Sequence, residues 1–346
     1  MARILISLAT LNLSLAAYAH HSVGAFYDSS TVSRISGTIG SVQWVNPHVR
    51  FTVDVTGANG ESERWRVEAG ALNSLDRQGV PRDLLRVGED ITVIGYTSRR
   101  GRPEMVAASV DLANGENVVL WSGLFGGPEE SNPAPDAAEQ IAAAAAEAAR
   151  SAQGMFRVWT IGLEYTHDAT DAGDETEMPL TASARAARAN FDPLVDDPGL
   201  SCTAPGMPAL MDNPFPMAMA EDDGDILIQM EQWDVVRRIH IDDDADPAAQ
   251  PATPYGYSTG RWEDDNTLVV TTTRINWPYF DDIGTPQSEQ LELVERYTLS
   301  DDETRLDYLL TVTDPEMLTE SVTFDGYWTW IPGEQIKRYD CAVPDL

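Results

Sequence analysis

Short stretches of alternating apolar and polar residues, each closed by a turn signal, recur along most of this chain and restrict it to a β architecture. Val49 to Val55 alternates and ends at Gly57-Ala58-Asn59-Gly60, and Glu63 to Glu68 alternates again with Trp65 and Val67 on one face. Ile35–Ile39, Ser41–Val45, Asp90–Tyr96 and Met105–Leu112 read as further strands, with a helical turn at Leu72–Arg77 before the fourth. Five or six short strands with that interruption predict a small OB-like barrel over residues 20–121.

Residues 122–154 read as a connector: Gly126-Gly127-Pro128 and Asn132-Pro133-Ala134-Pro135 punctuate it, and Asp136 caps an alanine-rich helix from Ala137 to Ala152. Its almost purely alanine surface offers little to a core, so it is expected to space two domains. The second block, 155–346, opens with Phe156-Arg157-Val158-Trp159, a helix over Thr181–Asn190 and a proline-rich irregular loop from Pro193 to Pro216. Strand patterns follow at Ile226–Gln232, Val235–Ile241, Thr267–Thr273, Glu289–Leu299, Arg305–Thr313, Glu320–Tyr327 and Gln335–Tyr339. In one of them Leu291 and Leu293 alternate with Glu292 and Glu295. The expected form is an antiparallel, lipocalin-like β-barrel or curved sheet around a pocket, so the chain as a whole is mostly β.

The first residues carry an address. Arg3, an apolar run from Ile4 to Ala17 and the small-x-small site Ala17-Tyr18-Ala19 have the layout of a secretory signal peptide, with cleavage expected after Ala19. The run is shorter than the ~20 residues of a membrane-spanning helix, and no later run approaches that length, so a periplasmic or secreted protein without a transmembrane segment is expected. Formal charge is −33, from 56 acidic against 23 basic residues. That excludes nucleic acid as a natural partner and disfavours anionic membranes. In an oxidising compartment the two cysteines, Cys202 and Cys341, are expected to form a disulfide tying the C-terminal tail to the proline-rich loop.

Cleavage after Ala19 would make His20 the N-terminal residue, whose amine and imidazole can chelate one metal together. With His21 and His48, which follows Pro47 on a turn, this makes a nitrogen donor set suited to copper(II) and resembling the histidine brace of copper-dependent oxidases and copper carriers. In the second block Glu231, Arg237, Arg238, Arg261, Glu295 and Arg296 supply charges for a ligand pocket, with Trp233, Tyr257 and Trp262 as its walls. Trp328 and Trp330 share one strand face and are read as core. Gly256-Tyr257-Ser258-Thr259-Gly260 fits G-x-S-x-G, but an acidic turn and a strand follow it, where a nucleophile elbow needs a helix.

Three functions stay open on these residues: a binding protein for a metal or small molecule, an extracytoplasmic enzyme (copper-dependent oxidative, or using the second-block pocket), and a non-catalytic assembly protein. His20-His21-Ser22, Trp44-Val45-Asn46-Pro47-His48 and the strand from Gly88 to Gly95 resemble a family of uncharacterised exported bacterial proteins whose N-terminal domain carries A-H-H-S … W-x-N-P-H. Cys202 to Pro208, Asp212-Asn213-Pro214, Gly256 to Trp262, Glu295-Arg296-Tyr297 and Asp314-Pro315 resemble the module usually found with it. The resemblance implies export and no particular activity. Relatives of that module often have histidine where this chain has Tyr257 and Gln287.

Overall fold

A computed structural model of the protein describes residues 23–57, 59–124, 154–160, 178–241 and 245–343. The leader, His20, His21 and the alanine-rich run lie outside the described residues.

The first unit starts with a helical turn, α1 (Val23–Phe26), and five strands: β1 (Ser33–Gln43), β2 (Arg50–Thr56), β3 (Ser62–Glu68), β4 (Asp90–Thr97) and β5 (Glu104–Leu112). They pair in the order β3-β2-β1-β4-β5, and a parallel β3–β5 contact closes the ring. With α2 (Leu72–Arg77) between β3 and β4, this is the OB arrangement. A short β6 (Asn117–Val119) extends it beyond β5. The two expected strands at 35–45 are one long β1 with a register shift between Ile39 and Ser41. That irregularity lets one strand serve both neighbours of a tightly curved barrel. At Gly95 a Cβ would stand 1.9 Å from the Val106 carbonyl oxygen, so only glycine allows the strands to approach that closely. Ile39, Phe51, Val53, Val67, Val93 and Met105 fill the interior, and Leu75 of α2 joins them.

The second unit is a nine-stranded, nearly closed sheet. Its strands are β7 (Val158–Trp159), β8 (Met217–Asp222), β9 (Asp225–Met230), β10 (Val236–Ile241), β11 (Tyr257–Asp264), β12 (Thr267–Thr273), β13 (Glu292–Leu299), β14 (Arg305–Thr313) and β15 (Val322–Thr329), each paired with the next. All pairs are antiparallel except β10–β11. A two-way backbone bridge between Thr160 and Thr329 joins the first strand to the last. Trp159, Tyr297, Tyr308 and Trp328 fill the interior, and Trp330 packs against it under the Arg157 guanidinium. Gln335–Tyr339 is not a strand: it runs as an irregular tail along the junction with the first unit.

That junction is polar and closely tied. Asn46 donates to Asn73 Oδ1 (3.0 Å) and to the Tyr339 carbonyl, and accepts from Ala342 N–H at its own carbonyl (2.9 Å). Asn73 donates to Glu231 Oε1 (3.0 Å) and the Arg338 carbonyl (3.2 Å). Arg77 of α2 grips both oxygens of Glu231, reaching Oε1 at 2.6 Å, and adds Glu334 at 3.0 Å. The Cys202–Cys341 disulfide then anchors the tail to the proline-rich loop. Asn46 of the N-P-H motif is thus part of the fastening between the units.

Candidate functional site

His48 is buried, its ring stacked 5.0 Å from that of Trp121 and its Nε2 3.6 Å from Glu68 Oε1. Glu68 Oε2 meets Arg50 at 3.2 Å. Tyr27, just after α1, lies close enough that burial first and the Glu68 charge second push its hydroxyl well above the usual tyrosine range. Among the described residues no three His, Cys, Asp or Glu side chains converge to hold a metal ion. The other two histidines of the expected copper set lie outside those residues.

The residues expected to make one pocket do not come together. Glu231, fully buried, belongs to the junction. Arg237 and Glu295 face each other inside the second sheet, Arg237 donating to Oε1 at 3.1 Å and Oε2 at 2.7 Å. Tyr297 and Tyr308 donate to the same carboxylate at 2.8 and 3.0 Å. Burial alone would raise the Glu295 pKa, but Arg237 and these hydroxyls outweigh it and hold the carboxyl below its usual range. Arg261 and Trp262 are exposed, Arg296 is bonded to Glu263 on the outer surface, and Tyr257 stacks on His240 at 4.8 Å. Glu295 therefore shares a face with Leu293, as a strict two-residue period requires, and not with Glu292. Ser258 lies within β11, buried, 2.8 Å from Thr272 Oγ1 and in reach of Arg237, so the G-x-S-x-G segment forms no elbow. Its Gly260 gives Ile239 and Ile241 room to pack.

A cavity of about 120 Å³ opens instead beside the sheet, between the proline-rich loop and the loop 277–285. Each wall has a local cause. Asp197 caps the turn Pro198–Ser201 by accepting from Gly199 N–H (2.8 Å), and Asp212 ends the turn Ala209–Met211. Asp281 accepts from Ile283 and Thr285 N–H (3.2 and 2.8 Å), fixing a turn whose Gly284 has φ +79°. A Cβ there would stand 2.1 Å from Phe191, which packs on that glycine and meets Tyr279 edge-on at 4.9 Å. Gln287 ties the two loops together, donating to the carbonyls of Met207 (3.0 Å) and Trp277 (2.8 Å). Trp277, Trp233 and Gln232 complete the lining.

The lining carries four carboxylates: Asp197, Asp212, Asp281 and Asp282. Burial and then repulsion from the other three push Asp282 up to about 8. Burial also raises Asp281. Asp282 therefore holds a proton near neutrality. Trp233 is the one expected pocket wall that lines this cavity, while Trp277 to Asp282 are not among the residues expected to form a site. A run of aromatic and acidic residues between two strands was the signal there. Trp233 also connects the cavity to the junction, its ring 5.5 Å from that of Tyr339.

Residues 9–107, which include β1 to β4 and His48, match a family of unknown function, DUF6152. No curated protein matches the chain.

Proposed function

We propose that this protein is an exported binding protein that holds a small molecule in the cavity between the proline-rich loop and loop 277–285. One observation carries the reading: four carboxylates and four aromatic rings converge on a single opening, on loops pinned by Gln287 and the disulfide. Convergent polar groups in an aromatic cavity are the usual form of a ligand site. The leader sequence, with cleavage after Ala19, supports a periplasmic or secreted location, and the disulfide agrees with it. The test is a thermal-shift screen of small molecules against wild type and Ala209→Phe, which fills the cavity. Hits that stabilise wild type and lose their effect in Ala209→Phe support the reading. Hits that survive the filling, or none at all, sink it.

Copper at His20, His21 and His48 is the second reading. It is favoured by the position of His48, beside a carboxylate that also acts on Tyr27, seven residues past His20. Copper(II) titration of the mature protein, followed by electron paramagnetic resonance, tests it. A nitrogen-rich signal that disappears in His20→Ala is expected, and an unchanged signal refutes the site.

A further inference from the structure

We infer that the Cys202–Cys341 disulfide is a redox latch: its reduction by a dithiol undocks the tail 335–343 and leaves both sheets folded. The bond spans the junction. Cys202 lies in the proline-rich loop between Gly199 and Thr203, which line the cavity, and Cys341 is bridged through its backbone to Asn46 of the first unit. Both cysteines are half-buried, and Cys202 stands between exposed Ser201 and Thr203. Cys341 packs on the apolar cluster of Ala71, Phe215 and Tyr339. An incoming thiolate therefore meets Cys202 first.

Backbone strain gathers at this latch. Among the described residues seven non-glycine residues have a positive φ, and four of them meet here: Cys202 (57°), Trp233 (68°), Asp234 (55°) and Asp340 (42°). That region costs free energy for any residue with a side chain, most for a bulky one such as tryptophan, and persists only where neighbours enforce it. The tail enforces two of the four. Asp234 accepts from the Tyr339 and Asp340 N–H groups (3.0 and 3.4 Å), and the Trp233 ring lies 5.5 Å from that of Tyr339. A disulfide that is reachable from one side and closes a strained backbone is one a dithiol can open.

The step is a thiol–disulfide exchange. A thiolate of the dithiol attacks Cys202 Sγ, the S–S bond breaks, and Cys341 leaves as a thiolate that takes up a proton. The second thiol displaces Cys202 from the mixed disulfide, so the dithiol is oxidised to its own disulfide and the chain gains two electrons and two protons. Once the bond is open, Cys202 and Asp340 can return to ordinary backbone, and only hydrogen bonds and packing oppose departure of the tail. Trp233 lines the cavity, so release of Tyr339 reaches the cavity wall as well as the junction.

Hydrogen exchange of the full chain, read by mass spectrometry with and without dithiothreitol, tests the latch. The reporting amides are those of Lys337, Tyr339, Asp340 and Ala342, which donate to Glu231, Asp234 and the Asn46 carbonyl. On reduction they should exchange about tenfold or more faster, together with residues 232–235, while β12 to β14 keep their protection. The double variant Cys202→Ser/Cys341→Ser should behave in the same way without reductant. A tail that keeps its protection when both cysteines are reduced overturns the latch. So does exchange that rises in every strand together, because the disulfide would then be a staple of the whole fold. Failure of dithiothreitol to open the bond in the folded protein, read as no alkylation of either cysteine, overturns it as well.

Discussion

Arg77→Ala tests whether the two units are fastened by a buried charge pair. In the native protein the guanidinium grips a carboxylate with no solvent exposure, while its own side chain is 19% exposed. After truncation Glu231 keeps Asn73 and the Lys337 N–H as donors among the described residues. Breaking a buried pair by removing one partner costs ~3–5 kcal/mol, because the remaining charge stays buried. Water reaches part of Arg77, so the lower end applies, about 3 kcal/mol. Glu231→Gln should cost less, since it leaves a neutral amide that can still accept from Asn73. The assay is urea unfolding followed by tryptophan fluorescence and far-ultraviolet circular dichroism, arranged as a double-mutant cycle. Loss of the fastening should separate the two probes' transitions in Arg77→Ala, and coupling between the positions should be ~1.5 kcal/mol or more. A loss below about 1 kcal/mol with additive single effects would refute the reasoning, because it would make the pair as weak as a surface contact.

Asp282 makes stability pH-dependent in a definite direction. Its folded pKa lies above the unfolded value, so its contribution is complete below the unfolded value near 4 and is lost as pH rises toward about 8. Asp282→Asn should therefore gain a few kcal/mol over wild type by pH 8 and little at pH 4, in parallel denaturant titrations. An equal gain at both pH values would refute the assignment. Reducing the disulfide, or Cys341→Ser, removes a constraint across 139 residues and should cost about 4–5 kcal/mol in urea. A cost under about 1 kcal/mol would show that the junction holds without it. Arg237→Ala, which leaves Glu295 buried and unpaired, should cost ~3–5 kcal/mol, whereas joint replacement by Met and Leu should cost much less. Comparable losses in both variants would mean that packing, not charge, dominates there.

Both barrels were legible because their strands bury one face and wet the other, which writes a two-residue period into the sequence. Where that period is blurred, the reading slipped. β8 reads Met-Ala-Met-Ala, whose alanines lack β preference, and went unseen before the structure. Gln335–Tyr339 looked like a strand, but its backbone is met chiefly by side chains: Asn46 and Asn73 donate to its carbonyls, and Glu231 and Asp234 accept from its N–H groups. The disulfide was legible from the cysteine count and the expected compartment alone. The cavity was not, because its walls come from segments about 80 residues apart and no local pattern states that they meet. Glu231 illustrates the difficulty: its charge was visible, but its partner, Arg77, lies 154 residues earlier.

The tail that fastens the units has a consequence in time. Residues 337–341 leave the ribosome after every strand of both sheets, and any export machinery working from the N-terminus delivers them after those strands. The barrel can close on its own local pairings, but until Lys337, Arg338 and Tyr339 arrive its Asn46 and Asn73 lack these docking groups. The junction is therefore completed last, although the Arg77–Glu231 and Asn73–Glu231 bonds across it need none of the tail. A protease that clips the chain after residue 334 would therefore leave the cut tail held in place by the Cys202–Cys341 disulfide and the Asn46 and Asn73 side chains.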